Sequence, residues 1–288
     1  MTSNTPGTLY LVPTPLDHGC DSQTPLHQVL PQGSIDTAAA LSHWISENAK
    51  STRAFLKRIA SAVPLVQPIQ AQHIVELPHA VQKKDPHASP LRVVRSPPRG
   101  PLFVSGRPGD KKGDHPGSGA PFDARPLLAP ALQGHDIGLI SEAGMPAVAD
   151  PGSSVVRAAH ELNLRVVPLV GPVSILLALA ASGLNGQRFA FVGYLPQDEA
   201  GRVRQLKQLE TRALQSGETQ LFIETPYRNA ALMRSMLASL SAATRLAVCS
   251  AVTLPQASVL TKTVAQWRAL PDNAGLALAA PTVYAIGV

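Results

Sequence analysis

Short apolar runs alternate with longer segments that are apolar only every third or fourth residue. That alternation predicts an α/β chain throughout. Thr8–Val12 reads as a first strand, stopped by Pro13-Thr14-Pro15. A helix is expected within Leu26–Leu41, interrupted by Pro31 and Gly33, followed by a strand over Leu41–Ile45. Residues 46–53 open a helix that continues through Phe55, Leu56 and Ile59, and Ile69–Val75 is a third strand candidate. The strongest pattern runs from His135 to Leu184. Asp136–Ser141 is a strand ending in a glycine-bearing loop. Asp150 is placed to cap a helix that has Pro151 at its first position and Val155, Val156, Ala159 and Leu162 on one face. Arg165–Val170 has the β-branched, apolar character of a buried parallel strand. Gly171-Pro172 breaks it, and Val173–Ser182 is a helix stopped by Gly183. In such crossover units ligands sit at the carboxyl ends of the strands, which makes Ser141–Pro146 and Gly171–Ser174 the places to look for chemistry.

Beyond Gly183–Arg188 a second block begins. Phe189–Leu195, Thr219–Glu224, Arg245–Ala251 and Thr282–Gly287 read as strands. Gly201–Gln215 reads as a polar helix with Leu206 and Leu209 inward. Thr225 and Pro226 are placed as cap and first-turn proline of a helix over Tyr227–Leu240. The expected organisation is two α/β domains, residues 1–184 and 185–288, since 288 residues are long for one ordinary core.

Charge changes this picture in one place. The net charge is +6, and residues 83–130 hold nine Lys/Arg against four Asp, so nearly all the basicity lies there. The same segment has ten prolines and six glycines, a composition that builds no core, with Leu102–Ser105 its one strand candidate. It is expected to be a mobile insertion. Cys20 and Cys249 lie far apart in no metal spacing, which predicts neither a disulfide framework nor a metal site and points to a reducing, cytoplasmic setting. No basic, apolar leader and no run of about 18 apolar residues is present, so neither a signal peptide nor a membrane span is expected.

With these blocks in place the sequence resembles the tetrapyrrole (corrin/porphyrin) methylase superfamily, and within it the branch that methylates a ribose 2′-hydroxyl of small-subunit ribosomal RNA. The resemblance is carried by TLYLVPTP at 8–15, SENAKSTRAFL at 46–56, LISEAGMPAVADPG at 139–152, RVVPLVGPVSILLALAASGL at 165–184, FVGYLP at 191–196 and LFIETPYR at 221–228. It covers nearly the whole chain outside 83–130. It implies two α/β domains with S-adenosylmethionine (SAM) in the cleft between them, a homodimer, and ribosomal RNA or the small ribosomal subunit as partner. The chain departs from that branch twice. Pro15-Leu16-Asp17-His18-Gly19 stands where Pro-Ile-Gly-Asn-Leu is usual, and Glu47-Asn48-Ala49-Lys50 where Glu-Asp-Thr-Arg is usual. Both positions face the acceptor side in relatives.

Methyl transfer to a hydroxyl needs alignment, negative potential near a sulfonium, and a base for the departing proton. It needs neither a nucleophilic triad nor a metal. The cofactor-binding residues that the resemblance implies are Pro13, Thr14, Pro15, Ser141, Glu142, Ala143, Gly144, Pro146, Pro172, Ser174 and Glu224. Glu47 is the first candidate base and Asp17 the second, with His18 beside it. Lys50, Arg53, Arg107, Lys111 and Lys112 are the candidate RNA contacts. Two other functions compete. One is a small-molecule, tetrapyrrole-like methylase, which the Pro-Thr-Pro after the first strand disfavours, because those enzymes carry a glycine-rich loop there. The other is a non-catalytic SAM- or RNA-binding relative, which the altered 15–19 and 47–50 segments motivate.

Overall fold

The computed structural model describes residues 5–17, 19, 20, 22–78, 122–270 and 278–288. Among them are two sheets of five strands each. The first contains β1 (Thr8–Val12), β2 (His43–Ser46), β3 (His73–Glu76), β4 (Ile137–Ile140) and β5 (Arg165–Pro168), in the order β3-β2-β4-β1-β5. All its pairings are parallel, so the carboxyl ends of its strands lie along one rim. β4 is buried along its whole length, as its run of Ile, Gly and Leu predicts. β5, expected to be a buried strand over Arg165–Val170, is shorter and lies on the sheet edge, with Arg165 and Pro168 exposed. A proline at its end has no N–H to give to a further neighbour, which an edge tolerates.

Helices cover both faces of this sheet. The region expected as one interrupted helix is two, α1 (Leu26–Val29) and α2 (Gln32–Ala40), divided at Pro31. The helix expected to open at Ser46 begins later. Ser46 closes β2, and Asn48 caps α3 (Ala49–Ala60) by accepting from the amides of Lys50 and Ser51. A turn of 3₁₀ helix at Arg125–Leu128 and α4 (Ala129–Leu132) follow, and α5 (Ser153–Glu161) packs beside them. Ala124, Leu128 and Ala131 lie in the same buried cluster as Leu9, Ile137, Leu139 and Val155. The expected insertion therefore does not extend to residue 130. Its last residues are core, because Leu127-Leu128 and Ala131 supply an apolar face that the composition of the whole segment hid. Leu102–Ser105 lies outside the described residues.

The second sheet holds β6 (Phe189–Tyr194), β7 (Thr219–Glu224), β8 (Arg245–Ser250), β9 (Ser258–Thr263) and β10 (Thr282–Gly287), in the order β6-β7-β10-β8-β9. β6 and β7 are parallel and the other pairs antiparallel. α7 (Glu199–Ser216), capped by Asp198, buries Leu206 and Leu209 as predicted. A 3₁₀ turn at Pro226–Arg228 precedes α8 (Asn229–Ser239), and α9 (Val264–Arg268) starts with a capping box at Thr263 and Gln266. Thr225 makes no side-chain cap.

α6 (Ser174–Ser182) decides how the halves meet. It follows β5 in sequence, yet Ile175, Ala178 and Leu179 bury against Leu221, Ala247, Cys249, Val283 and Ala285 of the second sheet. The Thr261 hydroxyl donates to Ser182 O from that sheet, and α6 ends at Gly183 in the left-handed region. The chain thus crosses between the halves at Gly171–Val173. It does so tightly: a Cβ on Gly171 would lie 2.3 Å from Pro13 Cγ.

Candidate functional site

The strand ends of both sheets converge on a cleft of about 270 Å³. The first half contributes Leu16, Gly144, Met145, Asp150 and Ser174, and the second Tyr194, Glu224, Ala251, Val252 and Thr282. The loop after β4 is folded onto the end of β1 by a two-bond bridge. The Thr14 amide donates to Gly144 O at 2.9 Å and the Gly144 amide to Thr14 O at 3.1 Å. Gly144 has φ +78°, as expected of a loop that brings backbone close to a ligand. On the other side, a register shift between Phe191 and Tyr194, with Gly193 at φ +72°, turns the end of β6 so that Tyr194 lines the cleft.

Asp150 is the most perturbed acid here. Burial pushes its carboxyl up from the ordinary 3.8 to about 7; Glu47 and, less strongly, Glu142 push in the same direction, and the Ser141 hydroxyl pulls back. The expected role of Asp150 as a helix cap does not hold. The chain turns at Gly152, with φ +132°, and α5 begins at Ser153 without a side-chain cap, which leaves Asp150 aimed into the cleft. The Tyr194 phenol is also pushed up, by burial first and then by the Asp150 and Glu224 carboxylates. Glu224 is held by Arg228 at 2.6 Å and accepts from the Thr225 amide at 2.7 Å. The cleft lining is therefore largely apolar, with two carboxyl groups in it, Asp150 and Glu224.

A second pocket, of about 390 Å³, lies in the first half beyond the Thr14–Gly144 bridge. Thr14, Pro15, Asn48, Lys50, Ser51, Arg58, Ser141 and Glu142 are among its lining residues. Glu47 stands between the two: its Oε2 accepts from the Glu142 amide at 3.2 Å, and its charge is felt by Asp150.

The expected site residues divide accordingly. Ala143, Gly144, Ser174 and Glu224 line the cleft. Thr14, Pro15, Ser141, Glu142 and Lys50 line the second pocket. Pro13, Pro146 and Pro172 are buried behind the loops they stiffen. Arg53 is exposed on α3 and lines neither pocket. Arg107, Lys111, Lys112 and His18 lie outside the described residues. Asp17, the second candidate base, also lines the second pocket, but its carboxylate is already held there. Arg58 grips both its carboxylate oxygens, at 2.9 and 3.0 Å, and the Thr24 amide donates to it at 2.9 Å. It pins the loop after β1 to α3. Sequence reasoning missed Arg58, Asp150 and Tyr194. Arg58 had no signal, because its partner lies 41 residues away. Asp150 was visible as the acid of the ADPG run, and the helix-cap reading absorbed it.

Among the described residues no group of three or more His, Cys, Asp or Glu side chains could hold a metal ion, and no helix is long and apolar enough to cross a membrane.

Several known proteins are similar to this chain in sequence. A ribosomal RNA small subunit methyltransferase I of Escherichia coli O157:H7 is 41% identical over 105 residues, 36% of this chain and 35% of that one. The protein of that name from Pseudomonas aeruginosa is 42% identical over 95 residues, 33% of this chain and 32% of that one. The one from Mesorhizobium japonicum is 37% identical over 152 residues, 52% and 49% of the two chains. The chain thus aligns with between about a third and a half of the length of these relatives. The uroporphyrin-III-C-methyltransferase of Thermus thermophilus covers 98% of this chain and 94% of that one at 15% identity and a TM-score of 0.48, a level that by itself assigns nothing. The sequence model of the tetrapyrrole (corrin/porphyrin) methylases matches residues 105–267, more than half of the chain, and the chain belongs to that family.

Proposed function

We propose that the protein transfers a methyl group from SAM to a ribose 2′-hydroxyl of small-subunit ribosomal RNA. The observation that carries the proposal is the cleft lined by Gly144, Asp150, Ser174 and Glu224, in a chain that is 37–42% identical, over the stretches aligned, to three methyltransferases named for that RNA. SAM supplies an electrophilic methyl group on a sulfonium. The residues present suit such a ligand. Gly144 and the loop through Asp150 offer backbone at close range, the apolar walls exclude water, and Asp150 is a carboxyl that gains from a cation beside it. Ala143, Gly144, Ser174 and Glu224 would hold the cofactor from the cleft side. Thr14, Pro15, Ser141 and Glu142 form the wall shared with the acceptor.

The acceptor would enter by the second pocket, where Lys50 brings positive charge. Glu47, between the two pockets, is the proposed base. It would hold the hydroxyl in line and take its proton; before SAM binds, the raised Asp150 carboxyl beside it keeps the pair from carrying two uncompensated charges, and once SAM is bound the sulfonium would compensate the ionised Asp150. Arg107, Lys111 and Lys112 would add phosphate contacts, with Arg53 on the α3 surface. We place the division between the two units at Gly171–Val173 rather than at 184/185, because α6 buries its apolar face in the second sheet. A homodimer in the cytoplasm completes the reading.

The test is methyl incorporation from labelled SAM into small ribosomal subunits from cells lacking this protein, with the modified nucleotide mapped. Wild type should label one ribose. Glu47→Gln should abolish labelling while retaining SAM binding by calorimetry. Labelling of a tetrapyrrole and of no ribosomal substrate would overturn the acceptor assignment, and absence of SAM binding would overturn the whole reading.

A further inference from the structure

We propose that Tyr227 is a stacking platform, at the mouth of the cleft, for an unstacked nucleobase of the acceptor strand. The inference rests on the reading of the protein as an RNA methylase and adds the way the substrate is held. Tyr227 is 80% exposed, and its neighbours Thr225 and Pro226 line the cleft. A single exposed aromatic needs no explanation in itself. This one has a partner that is itself held. The Arg228 guanidinium lies 5.3 Å from the ring centroid. Arg228 in turn donates from Nε to Glu224 Oε1 at 2.8 Å and from Nη2 at 2.6 Å. The Glu224 side chain is 2% exposed and is itself tied to the Thr225 amide. Pro226 stiffens the backbone of the same short turn.

The ring is therefore anchored through Arg228 to a buried carboxylate of the cleft wall, with most of its surface left open. Its charge environment narrows the choice of partner. Arg228 is neutralised by Glu224, so the platform offers a π face and little net charge, which suits a flat, neutral, unsaturated ring. Tyr194, 55% exposed, lines the cleft itself from the end of β6, whereas Tyr227 follows two of its lining residues. The chain has only four tyrosines; Tyr284 is fully buried, and the two exposed ones are a lining residue of the cleft and the neighbour of two lining residues. Single-stranded RNA is read by splaying bases onto aromatic side chains, and stacking of this kind tolerates any base. The platform would hold a base next to the target nucleotide and present its ribose to the cleft.

The experiment measures methyl transfer to unmethylated small ribosomal subunits by wild type, Tyr227→Ala, Tyr227→Leu and Tyr227→Trp. SAM affinity is measured by calorimetry and molar mass by light scattering. Alanine should raise KM for subunits roughly ten- to a hundredfold, the range expected for one stacked base. SAM affinity should stay within about twofold and the molar mass should not change. Tryptophan should restore KM, and leucine, of similar bulk but without a π face, should not. The proposal is overturned by an alanine variant with unchanged KM, by rescue with leucine, or by a change in molar mass, which would assign the ring to a subunit contact. A wild-type protein that binds SAM but labels no subunit would instead overturn the functional reading beneath it.

Discussion

With SAM placed in the cleft as proposed, its binding should depend on pH, and replacing Asp150 with asparagine should remove that dependence. In the free protein the carboxyl titrates near 7 instead of 3.8, chiefly because it is buried in the cleft and secondarily because Glu47 is near. At about 1.4 kcal/mol per pH unit, the charged form carries a penalty of roughly 4 kcal/mol. A sulfonium placed beside it would offset part of that penalty. Binding would then favour the ionised carboxylate and release a proton. Near pH 6 only about a tenth of the molecules have Asp150 ionised, and near pH 8 about nine tenths do, so affinity for SAM should rise about tenfold across that interval. The demethylated product has a neutral sulfur and should bind with a flat profile. The assay is calorimetric titration with both compounds from pH 6 to 8, in two buffers of different ionisation enthalpy to count the proton. Asp150→Asn should flatten the SAM profile and abolish proton release. The same shift affects folding. Because the folded-state pKa is raised, the cost accrues as pH climbs from about 4 to 7 and is constant above, so the asparagine variant should be more stable than wild type at pH 8 and not at pH 4. Parallel pH profiles for SAM and its product, or an unchanged slope in the variant, would refute the placement of the sulfonium at Asp150.

Three other outcomes follow from the packing. Gly171→Ala should destabilise the chain by about 3 kcal/mol or more in urea denaturation, because the added Cβ meets the rigid Pro13 ring and the crossing between the two sheets has no slack. A loss below ~0.5 kcal/mol would show that the crossing can move. Arg58→Ala should cost about 3 kcal/mol, since it leaves Asp17 buried without its guanidinium; unchanged stability would mean the 16–24 loop is held by other contacts. His43 is stacked between His73 and His135, each 4.7 Å away, and burial and both neighbours lower its pKa. The folded state thus disfavours its charged form, and stability should fall as pH drops through about 6.5. His43→Gln should reduce that slope in thermal melts at pH 5 to 8, and equal slopes would reject the assignment.

Much of the site was legible because its residues follow strands directly. Ser141 and Gly144 come after β4, Thr14 after β1 and Glu224 at the end of β7, and a strand's end is where hydrophobic alternation stops. What escaped depended on distance in sequence or on missing polarity. β9 has no alternation to read, because SVLTKT is half-buried along its length. α6, SILLALAAS, is apolar nearly all round, so periodicity could not say which sheet it joins, and chain order suggested the wrong one. Proline and glycine content described residues 83–130 as a block and overrode the local apolar face at Leu127–Ala131.

Among the described residues, non-glycine backbone at positive φ gathers around the cleft; the one case elsewhere, Asn163, is of a type that tolerates it. Ala147, Ala149, Ala251 and Thr253 all have φ between +53° and +75°, and Ala149 and Ala251 line the cleft. For alanine that region costs about 1–2 kcal/mol per residue, with no side-chain hydrogen bond to offset it. Such backbone persists only where its surroundings hold it. Here the Ala147 amide donates to Pro151 O and the Ala251 amide to Pro281 O, each carbonyl belonging to a proline with little freedom of its own. The two strained turns come from opposite halves of the chain and meet across one cleft. A fold selected for stability alone would place glycine at these positions or avoid the turns. Walls held by alanine and proline before any ligand arrives would leave little ordering for binding to cost. In a reaction whose chemistry resides in the methyl donor, alignment is the main thing left for the protein to supply.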